Sequence, residues 1–266
     1  MKWRLALGLL LSWSMLSQAQ TLSVMSAGSL KDALSEVAAH HQQRTGVGVS
    51  LTFGPSGLLR QRLEQAAADP LAQGVALFIS ADMDHPRKLN QAGGWQPVQV
   101  LVQNRLCVLA NPEVQGRDVL ALLLDERTRV GMSTPKADPA GDYAWAMFGK
   151  AESLQTGATQ RLRDKALQLT GGAQSAQAPS GRNPYAWVMS QGQVDVFVTY
   201  CTNAKAALQD TPSLHILPVP QALQVSASYG MTLRTGASVE AQQFAQSLLQ
   251  SQAQAVFAKY GFSSAP

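Results

Sequence analysis

Thr21-Leu22-Ser23-Val24-Met25-Ser26-Ala27-Gly28-Ser29-Leu30 begins as a strand-like run to Ser26, turns at Ala27-Gly28 and enters a helical pattern. Ser29 stands where a helix N-cap belongs, and Leu30, Leu34, Val37 and Ala38 share one helical face. The same events recur further on. Val47, Val49, Leu51 and Phe53 alternate with period two, Gly54-Pro55 turns the chain, and Ser56 precedes Leu59, Leu63 and Ala66 on one face. A third strand at Val75 to Ser80 and a short helix near His85 to Gln91 extend the series. Strands alternating with helices in this way predict a mostly parallel α/β sheet.

Beyond this region, Val98 to Ala110 is long for one strand and is broken by Gln103-Asn104-Arg105, as expected of a chain leaving one domain for another. Val119 to Leu124 reads as helix, Arg129 to Met132 as strand and Ser133 to Pro139 as a polar loop. A helix is predicted from about Ala140 through Phe148, with Asp138 as its cap and Pro139 at its first position. Thr170 to Asn183 is a Gly/Ser/Ala/Gln loop, Pro184 opens a helix to about Gln191, and Val194 to Thr199 is a strand. Tyr200-Cys201-Thr202-Asn203 starts a helix through Leu208. Strands at Leu214 to Val219 and Tyr229 to Leu233, then helices at Ser238 to Gln250 and Gln252 to Lys259, complete the pattern.

The 266 residues are 45% hydrophobic and 14% charged, enough apolar material for one large or two modest cores, and unlike disordered, collagenous or coiled-coil chains. The formal net charge is +4, or about +2 without Lys2 and Arg4, and no Lys/Arg cluster exists to favour nucleic acid. Lys2 and Arg4 precede the apolar run Leu5 to Trp13, and Ser17-Gln18-Ala19 supplies the small residues a signal peptidase requires. Residues 1–19 therefore read as a secretory signal cleaved after Ala19, with the remainder exported to the periplasm. Ser12, Ser14 and Ser17 interrupt the run before it reaches the roughly 18 apolar residues of a membrane helix. In such a compartment Cys107 and Cys201 can oxidise; their spacing matches no metal site, and a disulfide and two buried thiols both remain open.

Three turns share one construction. Ser26-Ala27-Gly28-Ser29, Gly54-Pro55-Ser56-Gly57 and Asp138-Pro139-Ala140-Gly141 each join a strand to a helix through small residues, and Gly181 before Pro184 is a looser fourth. A helix start carries unpaired N–H groups and the positive end of the dipole, so it holds an anion without a full positive charge. The plainer alternative makes each serine an ordinary N-cap; convergence of several turns on one point separates the two. A hydrolase is disfavoured, because Gly54-Pro55-Ser56-Gly57 lacks Gly-x-Ser-x-Gly spacing and none of His40, His41, His85 and His215 pairs with it. His40 and His41 are expected to face solvent and His215 to be a core candidate. Asp82, Asp84 and His85 have no Ca²⁺ or Zn²⁺ spacing and read as caps of the following helix. Tyr143, Trp145, Phe148, Tyr185 and Trp187 line either a cleft or a core.

Taken in chain order, several segments resemble the periplasmic molybdate-binding proteins of ABC transporters. They are Ser26-Ala27-Gly28-Ser29-Leu30, Phe53-Gly54-Pro55-Ser56-Gly57 with Leu59-Arg60-Gln61, Phe78-Ile79-Ser80-Ala81-Asp82, Asp138 to Ala144, Val194 to Tyr200, and Lys259-Tyr260-Gly261-Phe262. The resemblance covers essentially all of the chain after the signal. It implies a type II periplasmic binding protein fold: two α/β lobes, each a mixed, mostly parallel sheet flanked by helices, with two hinge crossings. The expected lobes are residues 20–103 with 204–266, and residues 104–203, closing about Gln103 to Arg105 and Tyr200 to Asn203.

The resemblance also implies a tetrahedral oxyanion held by neutral donors. Ser29 and Ser56 would each give a hydroxyl and a backbone N–H, Ala140 a backbone N–H from the second lobe, and Tyr200 its phenolic O–H. Alignment back from Trp187-Val188 assigns the remaining N–H to Gly181. There Asn183-Pro184-Tyr185 departs from the family's helix start and Pro184 has no N–H, which makes Arg182 and Asn183 alternatives. On this reading the chain is a monomer and not an enzyme, needs no cofactor or bare metal ion, and passes molybdate or tungstate to a membrane permease. Neutral donors discriminate, because a protonated oxyanion brings a hydrogen that finds no acceptor. The competing readings are a binding protein of the same fold for sulfate, phosphate or a small organic acid, and a secreted serine hydrolase. Absence of Lys or Arg at the matched positions argues against a carboxylate ligand.

Overall fold

The protein is described from a computed structural model covering residues 21–116 and 118–265; the signal predicted at residues 1–19 lies outside them. β1 (Leu22–Ala27) runs into a 3-10 turn at Gly28–Leu30 and α1 (Lys31–Thr45), followed by β2 (Val49–Gly54), α2 (Ser56–Glu64), β3 (Val75–Ser80) and α3 (Asp84–Ala92). β1 lies between β2 and β3 and is parallel to both, as the repeated strand and helix pattern predicts. Pleating sends alternate side chains to opposite faces. Met25 and Phe78 pack with Leu59, Leu63 and Leu89 on one side, while Val24, Leu77 and Ile79 join Leu34 and Val37 of α1 on the other.

β4 (Gln99–Ala110) comes next, and then α4 (Val119–Leu124), β5 (Val130–Ser133), α5 (Pro139–Ala151), α6 (Ala158–Lys165) and β6 (Leu167–Thr170). α7 (Pro184–Ser190), β7 (Val196–Tyr200), α8 (Cys201–Asp210) and β8 (His215–Pro218) follow. β9 (Ser226–Leu233), α9 (Val239–Leu248), α10 (Ser251–Lys259) and the short β10 (Ser263–Ser264) end the chain. The ladder runs β2-β1-β3-β9-β4-β7-β5-β6, with β8 and β10 also pairing with β4. β4 is the strand both halves share. From Gln99 to Arg105 it pairs with β9, and from Leu106 to Ala110 with β7. The change of partner falls at the polar break Gln103-Asn104-Arg105.

After Tyr200 to Asn203 the chain continues along the Leu106 to Ala110 half of β4. α8 packs on α7, β4, β7 and β8, and β8 pairs with Cys107 to Ala110, so the chain stays beside this half of β4 through Pro218. It regains the first half of β4 only at Ser226. Gln224, in the connection, stitches the two crossings together: its side-chain amide accepts from Leu106 N at 3.0 Å and donates to Leu106 O at 3.1 Å, imitating a strand neighbour. Pairing with the Gln99 to Arg105 half of β4 thus resumes only after the connection between Pro218 and Ser226. Cys107 and Cys201 form a disulfide with a Cα–Cα distance of 4.8 Å. The bond joins β4 to the start of α8, which packs on that strand.

The histidines expected to face solvent are a correction. His40 is half-buried, and His41 is buried and meets the Phe244 ring edge-on at 4.9 Å. Neither ring nitrogen of His41 has a hydrogen-bond partner, and burial lowers its pKa. His215 is only half-buried, on β8.

Candidate functional site

Ser29 and Ser56 stand at helix starts yet cap neither helix. The N-cap of α1 is Leu30 and that of α2 is Pro55, and neither helix has a side-chain cap. Ser29 Oγ instead shares a 2.8 Å hydrogen bond with the Tyr229 hydroxyl. Ser56 Oγ, buried, accepts the Ala81 N–H at 3.1 Å. The ordinary-cap alternative thus fails for both serines, whose oxygens are committed to tertiary contacts. Ser26 Oγ, in the first of these turns, is buried with no hydrogen-bond partner.

The second lobe reaches the same place. Tyr200, at the end of β7, donates its O–H to the Ala81 carbonyl at 3.3 Å, so Ser56 and Tyr200 meet on one residue from opposite lobes. The Tyr200 ring lies 5.7 Å from that of Tyr229 and 6.2 Å from that of Tyr143. Burial raises the pKa values of Tyr200 and Tyr229, so both phenols remain protonated. Nearby, Gly57 N donates to Ala137 O at 2.9 Å, joining the start of α2 to the loop before α5. A Cβ at Gly57 would run into the carbonyl oxygens of Lys136 and Ala137, so glycine permits this close approach of the lobes. Asn104, at the partner switch of β4, donates to Thr202 Oγ1 at 2.8 Å and to Tyr229 OH at 3.1 Å. A buried chain of polar groups thereby links Ser29 to both lobes.

Ala140 is fully buried at the start of α5, beside this cluster. Its N–H donates to Asp138 Oδ1 at 3.1 Å, the cap the sequence predicts. Asp138 is half-buried, and burial, reinforced by the charges of Asp142 and Asp82, pushes its carboxyl up to about 6. Asp142, also raised chiefly by burial, accepts from Lys136 N. Gly181 stands apart: it is exposed, in the left-handed region at φ 83°, and an added Cβ would meet nothing within 4 Å. Of its alternatives, Arg182 pairs with Asp210 at 3.0 Å, and Asn183 caps α7 by accepting from Tyr185 N and Ala186 N. The structure therefore brings Ser29, Ser56, Tyr200 and the α5 start together, and no hydrogen bond joins Gly181 to them.

Asp82 Oδ1 accepts from His85 N at 3.1 Å, the capping role expected of this group. No cluster of three His, Cys, Asp or Glu side chains suited to a metal ion occurs among the described residues, and no helix among them is long and apolar enough to cross a membrane. The aromatic group divides. Phe148 is core and Trp145 lies under Arg163, whereas Tyr143 lies beside Tyr200 and Ser228, where the lobes meet. Sequence reasoning missed Tyr229, Asn104, Thr202 and Ala81. Asn104 alone left a signal, as an amide inside an apolar strand.

The sequence matches the family described as bacterial extracellular solute-binding protein over residues 22–263. An uncharacterized protein of Pasteurella multocida is 33% identical over 80% of this chain and 87% of its own length. The molybdate-binding protein ModA of Rhodobacter capsulatus is 23% identical over 85% of this chain and 93% of its own. Among solved structures, the sulfate-binding protein SubI of Mycobacterium tuberculosis superposes with a TM-score of 0.71 at 16% identity, covering 91% of this chain and 86% of that one. That likeness establishes the fold. The family match spans nearly every described residue, and the chain belongs to the bacterial extracellular solute-binding proteins.

Proposed function

We propose that the cleft between the lobes captures a small tetrahedral oxyanion, molybdate or tungstate, and that the chain, a periplasmic monomer, delivers it to the permease of an ABC importer without chemical change. The observation that carries this reading is the meeting of Ser56 and Tyr200 on Ala81, at its N–H and its carbonyl respectively, with Ser29 joined to the same tyrosine cluster. Hydroxyls and amides drawn from two lobes stabilise a desolvated dianion through several charge-assisted hydrogen bonds at once. Only a closed arrangement lets both lobes donate to one ligand, so ligand and closure favour each other. Ser29, Ser56, Ala140 and Tyr200 are the residues we assign to the ligand; Gly181 is the weakest member of the set, given its exposed position. The relative from Rhodobacter capsulatus, a molybdate-binding protein, supports the choice of ligand.

A second reading, capture of hydrogen phosphate, is favoured by Asp138, a carboxylate acceptor beside otherwise neutral groups. Calorimetry with molybdate, tungstate, sulfate, phosphate and a dicarboxylate tests both. Tight binding of molybdate and tungstate is expected, and no binding of the dicarboxylate. Silence with every oxyanion alongside tight binding of the organic acid would overturn the assignment of the cleft.

A further inference from the structure

A cleft of neutral donors rejects any ligand that brings a hydrogen of its own. In this chain one acceptor stands among the donors. Asp138 takes the Ala140 N–H that the oxyanion reading requires from the second lobe. The surrounding chain makes room for the carboxyl. Gly171, at φ 76°, lies directly against it, and a Cβ at that position would collide with the Asp138 side chain. The titratable groups facing Asp138 are Asp142 of its own helix, Asp82 after β3, Tyr185 of α7, Tyr200 of β7 and Tyr229 of β9. None of these is a cation. A dianion arriving at the Ala140 amide would therefore meet a second negative charge with no positive partner from this set.

Resting on the oxyanion reading above, we propose that capture is proton-linked: the closed complex holds one proton between the Asp138 carboxyl and the bound oxyanion, so Asp138 sets which oxyanion the cleft takes and at what pH. Molybdate, which stays a dianion in neutral solution, binds with uptake of a proton onto Asp138. Hydrogen phosphate brings the proton with it and donates to the carboxylate. In both cases the atoms of the ligand are unchanged and one O–H bridges two oxygens. The raised carboxyl, held near 6 chiefly by burial, makes the proton available close to neutrality, and an adjacent dianion raises it further.

Titration calorimetry of the whole exported chain with molybdate and with phosphate, between pH 5.5 and 8.5 in buffers of different ionisation heat, reads the proton directly. Wild-type affinity for molybdate is expected to fall by up to tenfold per pH unit above about 6, with about one proton taken up per ligand at pH 8. Asp138→Asn keeps a good N-cap, and is expected to bind molybdate with flat pH dependence, no proton uptake and at least tenfold tighter than wild type at pH 8. It should also lose its affinity for phosphate relative to molybdate. Wild-type molybdate affinity that is equal at pH 6 and pH 8, with no proton exchanged, would overturn the linkage while leaving the oxyanion site standing. No binding of any oxyanion by either well-folded protein at any pH would overturn the site and the linkage together.

Discussion

The helix starts at α1 and α2 and those at α5 and α7 solve the same problem differently. In the second lobe α5 and α7 each carry proline at the first position and a side chain, Asp138 or Asn183, that takes up the free amides. The same lobe is stapled by Cys107–Cys201. In the first lobe α1 and α2 have no side-chain cap, although a serine is at hand in each turn. Every helix begins with N–H groups that lack intrahelical partners, and a cap satisfies some of them locally at the cost of their availability to anything else. The contrast teaches that α5 and α7 are closed by side chains of their own turns, whereas the serines at the starts of α1 and α2 bond to distant residues, Tyr229 and Ala81, and Gly57 N reaches the loop before α5.

Four experiments press on that contrast. The largest effect belongs to Ser29→Ala with Ser56→Ala, which removes two charge-assisted hydrogen bonds of about 1.5–3 kcal/mol each. Calorimetry should show oxyanion affinity reduced at least a hundredfold with the circular dichroism spectrum unchanged, and an unaltered dissociation constant would make these serines merely structural. Next is the staple. Cys107 and Cys201 are 94 residues apart, and opening a loop of that size costs about 4.7 kcal/mol in the chain-entropy account. Urea unfolding with and without reductant measures this, and hydrogen exchange should rise in β7 and α8 rather than in β1 to β3. Equal loosening of both lobes would break the comparison.

Cap removal is smaller. Asp138→Ala and Asn183→Ala should each lower stability by about 1 kcal/mol through loss of a cap, and Ser29→Ala by about 1 kcal/mol through loss of its bond to Tyr229. In a Tyr229→Phe background the Ser29 cost should vanish and the cap costs persist, and a Ser29 cost that persists there would erase the difference between the two kinds of helix start. The smallest effect is a pair of opposite pH responses. His41, lowered by burial, protonates more readily in the unfolded chain, so its contribution is complete above about 6.5 and is lost as pH falls below it. Asp138, raised to about 6, contributes at low pH and loses that contribution as pH rises through 6. Thermal melts of His41→Leu should gain on wild type at pH 5 and not at pH 8, and those of Asp138→Asn the reverse.

Much of this was legible in residue order. The repeated strand, small-residue turn and helix predicted the β1, β2 and β3 ladder, and Asp138-Pro139 marked the start of α5 because capping is local chemistry. The polar triplet inside β4 marked the switch of partners, since an amide in an apolar strand needs a buried partner. α6 and β6 were not among the predicted elements; α6 buries only Ala158 and Leu162, too little to show a periodic stripe. The pairing of β8 with the second half of β4 was not legible, because Tyr200-Cys201 ends a strand whichever partner the chain meets next. His41 sits late in a helix whose other faces are mostly polar, and only the position of α9 decided that it would be covered by Phe244.

The sequence by itself determined the alternation of elements, the caps of α5 and α7 and the small-residue turns, all of which depend on neighbours within a few residues. Which oxygen faces which partner was settled only by the tertiary structure. Ser29 and Tyr229 are 200 residues apart, and Tyr200 and Ala81 are 119 apart. Hydrogen bonds over such separations arise from the way β4 carries one ladder into two lobes, and local chemistry has no means of encoding that meeting.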